Sequence, residues 1–149
     1  MSGITPLNNV EINEALKSIC PSFRGVFSAD NIPNQIDSGS IICNLSRADE
    51  VGSHFVTIII KPKYVRYIDT FGIPCQIDGI NRFLYQLNRL VLYNSTQIQS
   101  LQSSFCGYFT MLFCLQNDHN CGNGITFSDN LTDNDQICIQ YLSDCLQHR

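Results

Sequence analysis

The 149-residue chain has no run of lysine or arginine, no apolar stretch of membrane-spanning length, no CxxC pair, no internal repeat and no low-complexity tract. Each absence narrows the function. Nucleic acid and anionic membranes are held by clustered cations. Here 9 Lys and Arg face 13 Asp and Glu, a net charge of -4, so neither is an expected partner. A membrane-crossing helix needs about 20 consecutive apolar residues. The opening MSGITPLNNVEINEALK lacks the apolar centre of a secretion signal, so an intracellular, reducing environment is expected. Charged residues make up only 15% of the chain and apolar residues 44%, which predicts one packed domain over residues 1–149.

Cysteine is plentiful instead: Cys20, Cys43, Cys75, Cys106, Cys114, Cys121, Cys138 and Cys145. Most lie inside apolar runs such as SIICNL, MLFCLQ and QICIQYL, where a thiol packs as a small hydrophobe, so mostly free thiols are expected. His119-Asn120-Cys121 comes nearest to a metal site. It lacks two further ligands at finger-like spacing, so no metal and no cofactor is predicted.

The pattern along the chain predicts an α+β domain, with a sheet near the middle and helices packed on it. Asn8 or Asn9 caps a first helix running to about Ser18. Phe23 to Phe27 is short and apolar. Ser40 to Leu45, His54 to Ile60 and Tyr64 to Thr70 read as strands, and the β-branched run HFVTIII predicts one covered on both faces. Ile77 to Leu90 has helical spacing, and Leu90 to Ile98 reads as a further strand. Ser104 to Leu115 predicts a largely buried helix. Asn117 to Ser128 reads as a loop, and a last helix starts at Thr132.

One constellation carries chemistry. A hairpin turning on Lys61-Pro62-Lys63 has an even-length loop whether it centres on Lys61/Pro62 or on Pro62/Lys63. Either loop puts His54 and Asp69 on one face, directly opposite or one diagonal step apart. The carboxylate then fixes one ring nitrogen and leaves the other free as a base. Cys106 opens the buried helix, where unpaired backbone N–H groups and the helix dipole favour a thiolate. Its own N–H suits an oxyanion. Gln99 and Gln102 both offer a second donor. Gly107 lets a substrate backbone approach closely, and Gly52 and Ser53, just before His54, suit backbone pairing with a substrate. Each residue alone also has an ordinary reading: Cys106 as core, His54 as a strand-end residue facing solvent, Asp69 as a turn residue.

GSHFVTIII, YIDTFG and QSLQSSFCGYF, in that order, resemble the adenovirus-type maturation cysteine proteases. That family is related to the SUMO- and ubiquitin-like-protein proteases and occurs also in virophages and polinton-like elements. FRGVFSADNIP, SIICNLS and TFSDNLTDNDQICIQYL also look like segments of its virophage and polinton members, so the resemblance covers nearly the whole chain. It implies a mixed or antiparallel sheet flanked by helices, with a papain-like catalytic layout in a different chain order. It also implies His54 as base, Asp69 as its orienter, Gln99 rather than Gln102 as oxyanion donor, and Cys106 as nucleophile. The implied substrates are viral precursor proteins cut beside small residues such as Gly, in the host cytoplasm and the virion. Phe55 stands where the family usually has Trp. The negative charge, and the lack of cysteine from Gln76 to Phe105, give no support to the DNA and disulfide-linked peptide activators of the adenoviral enzyme. Removal of a ubiquitin-like modifier by the same quartet, and a non-catalytic partner-binding protein, are the competing readings.

Overall fold

The computed structural model describes residues 6–45, 54–119 and 125–147. In chain order its elements are α1 (Asn9–Lys17), β1 (Phe23–Ser28), β2 (Gly39–Asn44), β3 (Phe55–Ile60), β4 (Tyr64–Ile68), α2 (Asp78–Leu87), β5 (Leu90–Tyr93), α3 (Cys106–His119), a 3-10 turn (Leu131–Asp133) and α4 (Asn134–Gln147). The strands form one five-stranded sheet in sequence order. The two inner pairings, β2–β3 and β3–β4, are antiparallel, and the two outer ones, β1–β2 and β4–β5, are parallel. The mixed α+β architecture expected from the sequence is the one found.

Helices cover both faces of the sheet. Every residue of β2 and β3 is buried, as the unbroken apolar run of β3 predicts. On one face Ile42 and Phe55 join a core with Ile12 and Leu16 of α1, Phe109, Leu112 and Leu115 of α3, and Cys138 and Leu142 of α4. On the other, Ile41, Ile58, Val65 and Tyr67 pack against Ile80, Phe83 and Leu84 of α2. Burying a large apolar side chain stabilises by about 1.5–3 kcal/mol, so these two layers dominate the folding energy. α3 packs on β2 and β3, which fixes where its first residue, Cys106, sits relative to the sheet.

The ends of several elements differ from the sequence expectation. Asn8 caps α1 as expected, in a capping box with Glu11: Glu11 N–H donates to Asn8 Oδ1 at 2.9 Å and Asn8 N–H to Glu11 Oε1 at 3.0 Å. Phe23–Ser28 is a full edge strand, β1. β5 stops at Tyr93 instead of reaching Ile98. α3 runs on to His119 through residues expected to form a loop, because Asp118 anchors that last turn: its Oδ2 accepts from Ser22 N–H at 3.2 Å and its Oδ1 from the Ser22 hydroxyl. Among the described cysteines, Cys20, Cys43, Cys75, Cys106, Cys114 and Cys138 are free thiols and Cys145 is disulfide-bonded.

Candidate active site

Pro62 and Lys63 form the two-residue loop of the β3–β4 hairpin, closed by Lys61 N–H to Tyr64 O at 2.9 Å. The register pairs Thr57 with Ile68 and Ile60 with Val65. Carried on along both strands, it sets His54 across from Phe71 and Asp69 across from Val56. His54 and Asp69 are therefore on one face and one diagonal step apart, the second of the two arrangements the loop allows. Their side chains meet: His54 Nε2 lies 2.8 Å from Asp69 Oδ1, and the residues are only 7% and 4% exposed.

The third member arrives from the other side of the fold. α3 begins at Cys106, which is buried and near enough to His54 to raise the pKa of its ring. Asp69 occupies Nε2, so Nδ1 is the nitrogen left for the sulfur. Cys106 and Gly107 head the helix with N–H groups that its own carbonyls cannot reach, whereas the Tyr108 and Phe109 N–H groups donate to Phe105 O at 2.9 and 3.1 Å. Burial works against a charged imidazole at His54. Asp69 and Cys106 together outweigh it, and the His54 pKa is pushed up to about 9. Burial drives the thiols of Cys43, Cys114 and Cys138 strongly upward, and Cys75 in the same direction, so these stay neutral.

Asp69 is clamped on every side. Its Oδ1 also accepts from Phe71 N–H at 2.8 Å. Its N–H donates to Asn94 Oδ1 at 2.9 Å, and its carbonyl accepts from Asn94 Nδ2 at 2.6 Å and from Gly72 N–H at 2.8 Å. Gly72 has φ +74°, and a Cβ there would lie 3.0 Å from the Gln97 nitrogen and the Ser95 oxygen, so the turn after Asp69 requires glycine.

The two glutamines are separated by their surroundings. Gln99 is fully buried, whereas Gln102 is exposed and bonds to Ser100: its Oε1 accepts from Ser100 Oγ at 2.8 Å and its N–H donates to Ser100 Oγ at 3.3 Å. Gln99 bridges the two halves of the site. Its Oε1 accepts from the Thr70 hydroxyl, beside Asp69, and its Nε2 donates to Ser103 O at 3.1 Å and Ser103 Oγ at 3.2 Å, just upstream of Cys106. Ser103 is braced in turn by Asp135 of α4, at 2.7 Å.

The remaining sequence-named residues fall differently. Gly52 and Ser53 lie outside the described residues, as do Asn120, Cys121 and the side chain of His119. At Gly107 the place of a Cβ is crowded by Ile12 Cδ1 at 3.1 Å and Leu7 Cβ at 3.2 Å, so packing under α1 accounts for that glycine. No group of three His, Cys, Asp or Glu able to hold a metal occurs among the described residues. Phe71, Asn94 and Ser103 also hold the site's side chains in place, and they are not among the residues the sequence pattern singles out. Only Phe71 carried a signal, as the position across from His54 in a Pro62-Lys63 hairpin.

Nothing in the collected family models or curated protein sequences matches the chain. Solved structures do share its fold. The ASFV pS273R protease matches with a TM-score of 0.57 at 12% identity, over 91% of this chain. The chain spans 66% of that protein's length.

Proposed function

We propose that this chain is a viral cysteine endopeptidase that cuts virion precursor proteins during maturation, beside small residues such as Gly, in the infected cytoplasm and the virion. One observation carries the reading: a histidine held at Nε2 by a buried carboxylate, with a buried, helix-leading cysteine near enough to raise its pKa. A fold shared with a protease supports it.

In the mechanism we infer, His54 takes the Cys106 thiol proton, or the two rest as an ion pair. The sulfur attacks the scissile carbonyl and forms a C–S bond. The oxyanion is held by Cys106 N–H and by the Gln99 amide, which keeps its bond to the Ser103 carbonyl and gives up the longer one to Ser103 Oγ. His54 protonates the leaving amine from Nδ1 as the C–N bond breaks. Water, deprotonated by His54, then hydrolyses the thioester and frees the thiolate. Asp69 holds the ring throughout.

The test is digestion of a peptide library and of virion precursor proteins by the wild type and by Cys106→Ala, with the new N-termini read by mass spectrometry. Cleavage beside small residues that vanishes in Cys106→Ala supports the proposal. Cleavage that persists in Cys106→Ala removes Cys106 as nucleophile. Reaction only with suicide probes derived from ubiquitin-like modifiers moves the substrate to a modifier conjugate.

A further inference from the structure

The bond to Asp69 fixes the His54 imidazole at one point only. A ring held at Nε2 can still tilt about that contact and swing Nδ1 away from the sulfur. A second constraint is present. The Phe71 ring lies on the imidazole face, with centroids 4.2 Å apart and planes 13° from parallel. An offset or stacked pair at this distance resists both tilt and rotation. We propose that Phe71 is a positioning residue, which sets the plane of the His54 ring by stacking so that Nδ1 stays aimed at Cys106.

Phe71 is placed for this by the site itself. Its N–H donates to the same Asp69 Oδ1 that holds His54, and Gly72 turns the chain straight after it. One short segment, Asp69 to Gly72, thus supplies both the point contact and the planar one. Phe55, beside His54 in sequence, has a different role, since it is 6% exposed and belongs to the core under α1, α3 and α4. Phe71 is only partly buried and belongs to neither core layer, so its replacement is expected to leave the fold standing. The aromatic face also suits the imidazolium form of His54.

This inference rests on the protease reading, and its test separates the two. Phe71→Leu keeps the apolar bulk and the N–H to Asp69 but removes the stack, and Phe71→Tyr keeps all three. Three readouts are needed: the upfield ring-current shift of the His54 ring protons by NMR, the rate of Cys106 alkylation by iodoacetamide at neutral pH, and peptide cleavage. In Phe71→Leu the upfield shift disappears, alkylation slows, and kcat falls roughly ten- to a hundredfold with KM little changed, the scale expected for a misplaced reacting group. In Phe71→Tyr all three recover to within about twofold, as the retained stack requires. Unchanged alkylation and kcat in Phe71→Leu, or a Tyr variant as impaired as Leu, overturns the proposal. If the wild type cleaves nothing while Phe71→Leu still slows alkylation and loses the ring-current shift, the positioning role stands and the protease reading falls.

Discussion

His54 Nε2 and Asp69 Oδ1 are 2.8 Å apart across fifteen residues of sequence, because a two-residue turn at Pro62-Lys63 sets the parity of the hairpin between them. A turn one residue longer would move one of the pair to the opposite face of the sheet. The meeting of His54 and Asp69 is therefore a consequence of loop length.

The charge on Asp69 helps to hold the proton on His54, so pH dependence follows. His54 must be protonated to serve the leaving amine, and kcat/KM is expected to fall as pH rises through about 9. Asp69→Asn keeps an acceptor for Nε2 but removes the charge. It is expected to move that limb to lower pH and, once the limb lies below pH 8, to reduce kcat/KM at pH 8 by about tenfold for each further pH unit. A pH–rate profile of both proteins checks this. A limb that stays in place would show that Asp69 does not set the His54 charge.

The raised His54 pKa also links to stability. The folded pKa of about 9 lies above the ordinary 6.5, so the folded state holds a proton that the unfolded state lacks between those values. The resulting stabilisation is fully present below pH 6.5 and is lost as pH rises through 9. Urea unfolding across this range is expected to show stability falling with pH, and His54→Gln to remove His54's share of that slope.

Gln99→Ala is expected to have two separable effects. Loss of an oxyanion donor lowers kcat by about 100- to 1000-fold. Loss of the bridge between Thr70 and Ser103 leaves the buried Thr70 hydroxyl without its acceptor, at a cost of about 1–3 kcal/mol in stability. Single-turnover kinetics and Tm, measured on the same preparation, distinguish them. A normal kcat with a lowered Tm would make Gln99 a structural clamp only.

Gly72→Ala tests the turn that carries Asp69 and Phe71. With φ at +74° and neighbouring backbone 3.0 Å from the new Cβ, the substitution is expected to destabilise by about 1–3 kcal/mol. It should also slow catalysis by shifting both side chains. A stable, fully active Gly72→Ala protein would show that the turn does not position them.

Much of this site was legible in the sequence where a period or a parity decided the matter. The β-branched run of β3, the Pro62-Lys63 turn and the cysteine heading an apolar helix each speak through local pattern. β1 did not, because Gly25, at φ +132°, sits within a register shift between Phe23 and Val26 that breaks the alternation of FRGVFS. Nor did the end of β5: Asn94 turns its side chain onto the Asp69 backbone, replacing the ladder bonds that would have continued the strand. The partners of Gln99 were likewise hidden, since Thr70 and Ser103 approach it from different segments of the chain.

The most direct test of the Cys106–His54 pair needs no substrate. Iodoacetamide labelling at neutral pH, mapped by mass spectrometry in the wild type and in His54→Gln, reads which cysteine carries a thiolate. The pairing predicts that Cys106 reacts well ahead of Cys43, Cys75, Cys114 and Cys138 in the wild type, and that this lead is lost in His54→Gln. Uniform slow labelling of all five in the wild type, or a Cys106 lead that survives the loss of His54, would contradict it.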